Sequence, residues 1–349
     1  MLAHPAQLRH RTAQRWSPQR GCAYNENTFH YQQTEAHVKL SVPLAGLAAA
    51  LLLSTSATAF ELTHSAGTLT LPATPEKIVT FDLALLDSLD TLEIPVAGVP
   101  QSTYEGHLAK FNETPVAGTL FEPDYPALQQ ISPDLIIAGG RSQGAMPQLQ
   151  EVAPTISFTS NPNDFLNNFK TVNQALAKAF DKSEQAQAAL AGIDSDVSAL
   201  HQANDGKTGA FLFVVGGNVM AHAPGDRFGY AYELTGLQSV LPAKAPAAGR
   251  QARPEPGSPQ AEAAAKERAL VISNIAQAEP DWLIVLDRGA INGGEKTAAE
   301  TLAQHPQLSQ TTAYKEGRVH YADPNSWYLV GGGLTNLKSI TAQMLDAMQ

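Results

Sequence analysis

From Lys77 onward, short apolar runs alternate with stretches of helical period, the pattern expected of strands and helices in parallel α/β architecture. "KIVTF" (77–81) reads as a buried strand, and Asp82 as the cap of a helix through "LALLDSLDTL". "VAGV" (96–99), "PDLIIAGG" (133–140) and "PTISF" (154–158) read as further strands, with a short helix at "PALQQI". Four strands with short crossovers predict one α/β lobe. From Asn163 to about Asn204 the period becomes helical, broken at Asp181-Lys182, which predicts a rigid spine. Strands resume at "GAFLFVVGG" (209–217), "DWLIVLDRG" (281–289) and "RVHYAD" (318–323), with helices at "GYAYELTG", "TAAETLAQHPQL" and "GLTNLKSITAQMLDAM", so a second α/β lobe is expected. The stretch 243–268 is rich in Ala, Pro and charge without apolar period and reads as a mobile surface loop.

The start of the chain breaks this pattern. Residues 1–37 are polar and aperiodic; then Lys39, an apolar run Val42–Leu53 and the small residues Ala57-Thr58-Ala59 form a secretory signal peptide, 38–59, too short in its apolar part to span a membrane. A signal peptide opens a chain, so 1–37 reads as an extension from an early start codon, with Val38 the better initiator; the alternative is a genuine N-terminal extension. Cleavage after Ala59 would leave Phe60 first. The division expected is a lobe over 60–182, a spine helix over 183–205 and a lobe over 206–349. The only cysteine, Cys22, lies ahead of the cleavage site, so the processed protein needs no disulfide and has no thiol there to take a lipid. A periplasmic, non-lipidated protein follows.

The chain has 23 Lys and Arg against 33 Asp and Glu, a formal charge of −10. That balance argues against nucleic acid as a partner. It also makes clustered arginines informative. For an enzyme the sequence offers little. The glycine runs "VVGGNV" and "VGGG" lack the spacing of a dinucleotide or phosphate loop, no HExxH or CxxC occurs, and the histidines are scattered.

Two "PD" strands, "SPDLIIAGGR" (132–141) and "EPDWLIVLDRG" (279–289), end in an arginine. With "PGDRFGYAYELTG" (224–236) and "DPNSWYLVGGG" (323–333) they form an ordered set that resembles the periplasmic binding proteins delivering ferric siderophores to ABC importers, in particular the subgroup for catecholate and mixed-donor ligands. The resemblance covers residues 61–349. It implies the type III fold, two Rossmann-like α/β lobes joined by one long helix with the ligand in the cleft between them. It implies no catalysis and no intrinsic cofactor, Fe(III) arriving inside the siderophore. Its partners would be an inner-membrane permease with a cytoplasmic ATPase, reached by a monomer. Haem and cobalamin carriers share the fold and form the alternative.

Residue by residue, the resemblance assigns ligand binding to Arg141, Arg227 and Arg288, suited to an anionic ferric chelate because arginine stays charged and presents several donors. Pairing of each with a neighbouring carboxylate, as Arg288 with Asp287, is the plainer reading. Tyr328 matches a position whose phenolate can coordinate iron directly, a hard anionic donor; a core aromatic beside Trp327 is the other reading. Trp327 joins the ligand-binding set, although packing suits it as well.

Two departures stand out. The histidine that the subgroup pairs with this tyrosine is missing from "PGSPQAEAAAKERALVIS", and His222, His305 and His320 lie in other elements. Either Tyr328 acts alone or no side chain ligates the iron, unless Arg250, Arg253 or Lys266 supplies charge in place of a ligand. The docking glutamate expected in an "EPDYE" motif is replaced in "EPDYP" by Pro126, leaving Glu122 nearest, and the second-lobe docking position falls near Ser273.

Overall fold

The computed structural model describes residues 59–244 and 254–349; the extension 1–37, the signal peptide up to residue 58, Arg250 and Arg253 lie outside them. A hairpin of β1 (Phe60–His64) and β2 (Gly67–Leu71) opens the described chain, with Phe60 buried edge-on against Phe180 at 4.9 Å. The first main sheet is parallel, in the order β4 (Val96–Gly98), β3 (Ile78–Thr80), β5 (Leu135–Ala138), β6 (Thr155–Ser157). Its strands β3, β5 and β6 are buried throughout, as a sheet covered on both faces requires.

Helices α1 (Leu83–Thr91), α2 (Tyr125–Ile131) and α3 (Met146–Gln150) belong to this lobe. Asp82 caps α1, accepting from Ala84 N at 2.9 Å and Leu85 N at 3.1 Å. Asp124 caps α2 through Ala127 N at 3.0 Å, and Pro126 stands in its first turn, where a missing N–H costs nothing.

Helix α4 (Phe165–Ala179) and helix α5 (Ser183–Ala203) follow, separated at Asp181, which takes a left-handed φ of 55°. Ala186, Leu190, Ile193, Val197 and Leu200 of α5 are buried at helical spacing, in the same apolar core as residues of both sheets.

The second sheet is mixed. Strand β7 (Thr208–Val215) pairs antiparallel with β8 (Asn218–His222), and past α6 (Tyr230–Thr235) it gains the short parallel β9 (Gln238–Ser239). Beyond α7 (Pro259–Ala278), β10 (Trp282–Asp287) inserts in parallel beside β7. Then α8 (Ala298–Gln304) and α9 (Thr312–Lys315) lead to β11 (Val319–Ala322), parallel to β10, and α10 (Leu334–Met348) ends the chain.

Helix α7 corrects the loop expected over 243–268, because residues 259–268 are its first half. Ser258 caps it by accepting from Ala261 N at 3.2 Å and Pro259 opens it, so helix propensity in "QAEAAAKER" and a good start suffice. Only Ile272 and Ile275, near its far end, are buried, so the first half carries no apolar period to read.

Two carboxylates tie the lobes together. Asp87 of α1 accepts from Thr335 N at 2.9 Å and Asn336 N at 3.1 Å, capping α10, and from His107 at 2.5 Å. Glu233 of α6 accepts from Phe165 N at 2.8 Å and Leu166 N at 2.9 Å, capping α4. Each lobe caps a helix that leads from the other.

Candidate functional site

The site is built at the carboxyl ends of strands, where open α/β sheets present ligands. Arg141 follows β5 after Gly139-Gly140; a side chain at Gly139 would lie 2.5 Å from Phe81 O, so glycine lets β5 end against the start of α1. Arg227 stands in the loop between β8 and α6, and Arg288 directly follows β10. Tyr328 lies in the turn Asn325–Val330 beyond β11.

That turn is wide. Gly331 N donates to Ser326 O at 2.7 Å, a five-residue π-type bond, and Gly331 closes it with a left-handed φ of 67°. Trp327 is 1% exposed, stacked on Tyr230 at 5.3 Å and tilted against Phe211 at 5.6 Å, and anchors the turn from below. Gly333 then takes a φ of 80°, and its Cα hydrogens face the Asp87 carboxylate, where a Cβ would come within 2.3 Å of Oδ1.

The turn's carbonyls collect the arginines. Arg141 Nη2 donates to Tyr328 O at 2.7 Å and Nη1 to Leu329 O at 3.4 Å, while Arg227 Nη2 reaches the same Tyr328 O at 3.0 Å. Arg288 Nε donates to the Tyr328 hydroxyl at 3.4 Å. All three guanidiniums also approach the Tyr328 ring, Arg227 most closely at 4.3 Å. Arginines from both lobes therefore converge on one tyrosine.

Among the described residues no carboxylate pairs with any of the three. Asp287, beside Arg288, is occupied by the N–H groups of Gly289 at 2.9 Å, Thr297 at 2.6 Å and Ala298 at 2.7 Å. Asp226, beside Arg227, accepts from Ala223 N at 3.0 Å and pairs with Lys244 at 2.9 Å. Pairing with the adjacent acids is thus ruled out.

Burial and neighbouring charge act on Arg141 and Tyr328 together. Burial, then the charge of Arg227, lowers the Arg141 pKa. Burial pushes the Tyr328 phenol up, but hydrogen bonding and charge from Arg288 and Arg227 outweigh it, and the net direction is down. A phenol held low among cations is a ready oxygen donor to a hard ion.

Two recesses flank this cluster. One, of about 230 Å³, runs inward between α1, α4 and α6; the other, of about 650 Å³, lies against β8 and α7 with Phe213, Met220 and Val271 in its wall. Arg227 and Tyr328 line both, Arg141 the first and Arg288 the second.

Of the three histidines, His222 lines the second recess with Arg227, Arg288 and Tyr328, and the other two lie elsewhere. His222 packs on Phe211, Phe213 and Phe228, and burial holds its pKa down to about 4; His320 is in β11, and His305 follows α8. Lys266 is exposed on α7 and lines neither recess, whereas Lys244 and Arg268 line the second. Glu122 is exposed on a turn held by Thr119, and Ser273 accepts from Gln277 and Gln307 on α7's outer side. The carbonyls of Tyr328 and Leu329 have no counterpart in the sequence reading; their only signal was the glycine run after the aromatic pair.

The family model described as periplasmic binding protein matches residues 78–326. The petrobactin-binding protein YclQ of Bacillus subtilis (strain 168) is 28% identical over 284 residues, covering 80% of this chain and 84% of that protein. The ferric-anguibactin-binding protein FatB of Vibrio anguillarum (strain ATCC 68554 / 775) is 25% identical over 296 residues, with 82% and 86% covered. The crystal structure of YclQ matches at TM-score 0.71 and 26% identity over 84% of this chain and 99% of that one. That of the periplasmic catecholate-siderophore binding protein VctP of Vibrio cholerae matches at TM-score 0.68 and 25% identity over 83% and 99%.

Proposed function

The chain belongs to the periplasmic binding protein family, and from that premise we propose that it is the extracytoplasmic substrate-binding component of an iron importer, capturing an anionic ferric siderophore of catecholate or mixed-catecholate type. One observation carries the reading: three guanidiniums, drawn from both lobes, surround Tyr328 with no carboxylate of the described chain as counterion. Fixed cations of this kind suit a ligand whose negative charge is spread over several oxygens. Petrobactin and anguibactin carriers among the relatives point the same way.

The Fe(III) is cargo, held in the chelator's own oxygens. Among the described residues no cluster of three or more His, Cys, Asp or Glu offers a metal cage. Tyr328, its phenol held low by the neighbouring arginines, is suited to add an oxygen to an iron that its chelator leaves unsaturated. Transfer goes to an inner-membrane permease with its ATPase, the protein acting as a monomer that begins at Phe60 without a lipid.

The test is a titration of the mature protein with ferric tris-catecholate, a tetradentate ferric catecholate, ferric hydroxamate, haem and cobalamin, followed by tryptophan fluorescence and visible absorbance. Binding of the ferric catecholates, weakened by salt, is expected. With Tyr328→Phe, the tetradentate complex alone should lose affinity and its charge-transfer band should shift. Tight haem or cobalamin binding with no response to any ferric catecholate would overturn the reading.

A further inference from the structure

Arg288 has little of its own to hold it in place. Its side chain is exposed, and among the described residues its one hydrogen bond is a long one, from Nε to the Tyr328 hydroxyl at 3.4 Å, with the ring at 5.6 Å. Where it stands is therefore set by its backbone, the loop Arg288–Gly293 that follows β10. That loop is pinned at its start, where Asp287 Oδ1 accepts from Gly289 N at 2.9 Å. It then reverses through Asn292, which takes a left-handed φ of 56°, and Gly293, at 77°. At this reversal Asn292 N donates to Asn325 Oδ1 at 3.0 Å, and Asn325 opens the turn that carries Tyr328.

The other end of the same amide reaches the first lobe. Asn325 Nδ2 donates to Glu105 Oε2 at 2.8 Å, in the loop after β4. A backbone N–H can only donate and a carboxylate only accept, so the two partners fix which way the amide faces. Aspartate in this place would lack the donor, and alanine would lack both groups. One side chain thus joins the Arg288 loop, the Tyr328 turn and a loop of the opposite lobe. Both bonds are exposed to water, where a hydrogen bond adds little net stability, so their effect lies in the geometry they impose.

We propose that Asn325 is a positioning residue of the ligand site: its amide holds the Arg288 loop in register with the Tyr328 turn and braces both against Glu105 of the first lobe, so that Arg288 is presented to the anionic ligand beside Arg141 and Arg227. The effect on affinity runs through Arg288, since Arg141 and Arg227 reach the turn through the Tyr328 carbonyl without help from Asn325. The inference rests on the ferric-chelate reading of the mouth.

The experiment is a double-variant cycle with the ferric complex of plain catechol as probe, followed by tryptophan fluorescence. Asn325→Ala is expected to weaken binding roughly three- to tenfold. Combined with Arg288→Gln, it should add nothing to the loss that Arg288→Gln causes alone, because residues that act through one another are not additive. A merely structural role would give additive losses, and that result overturns the proposal. So does wild-type affinity in Asn325→Ala, which leaves the ferric reading standing. A second pair of variants works at the other end of the amide and leaves Asn325 in place. Glu105→Gln keeps an acceptor for Asn325 Nδ2 and Glu105→Ala does not, while both remove the same charge. Glu105→Ala is expected to bind roughly two- to threefold more weakly than Glu105→Gln, and equal binding by the two overturns the proposal. Failure of the wild type to bind the ferric complex removes the reading of the mouth and the inference together.

Discussion

On the two sides of the turn Asn325–Gly333, charge is treated in opposite ways. On one side Arg141, Arg227 and Arg288 gather around Tyr328 with only backbone carbonyls and a phenol to meet them. On the other, the fully buried carboxylate of Asp87 is met by His107 and the first N–H groups of α10, and Glu233 serves α4 in the same manner. The first arrangement leaves like charges close together and spends stability to do so; the second uses charge to complete helix ends. On the proposed reading, the contrast separates residues that would serve a ligand from residues that serve the frame.

The largest expected effect lies on the frame side. Asp87→Ala removes the cap of α10 and the partner of His107, and should cost on the order of 3 kcal/mol of unfolding free energy in urea melts. If the separation is real, the folded fraction still binds the ferric ligand; loss of affinity without loss of stability would collapse the distinction. Next comes Arg227→Gln, for which an affinity lower by about 10- to 100-fold is expected from the loss of a charged donor. Its Tm should not fall, since the substitution relieves crowding at Arg141. A destabilised Arg227→Gln protein would place this arginine with the frame.

The smallest effect is a matter of pH. The hydrogen bond from Asp87 raises the His107 pKa above its ordinary value, against the opposing pull of burial. A raised folded value means that the contribution is complete below about pH 6.5 and disappears as pH climbs through the folded value. His107→Gln should therefore destabilise the protein below about pH 6.5 and converge on wild type as pH rises through the folded value, measured by urea unfolding over a pH series. An unchanged gap at all pH values would show that the pair contributes through packing alone.

Much of the frame was legible because its signals are local. The buried strands β3, β5, β6, β7 and β10 read as apolar runs, Asp82 as a cap, and Asp181 as the break between α4 and α5. The first half of α7 was not, because a helix that buries almost nothing there has no apolar period. The β1–β2 hairpin and β8 also went unread, being short, partly exposed strands next to glycine turns. The arginines and Tyr328 could be named from the ordered motifs, but not their mutual geometry. That depends on carbonyls released by a π-type turn, and backbone oxygens leave no mark in the residue string. Asp87 escaped for a related reason: its partners lie 248 and 249 positions away.

Reciprocal capping also limits how the molecule can report its cargo. A closing rotation of one lobe on the other would have to tear Asp87 from α10 or Glu233 from α4, exposing the buried Asp87 carboxylate or leaving a bare helix end. The outline of the protein should then be nearly the same loaded or empty, by small-angle scattering as well as by eye. On the proposed reading, what would change on loading is the sign and strength of the field at the mouth, where an anion would cover three positive groups. A membrane partner that takes only loaded copies would be sensing voltage rather than shape.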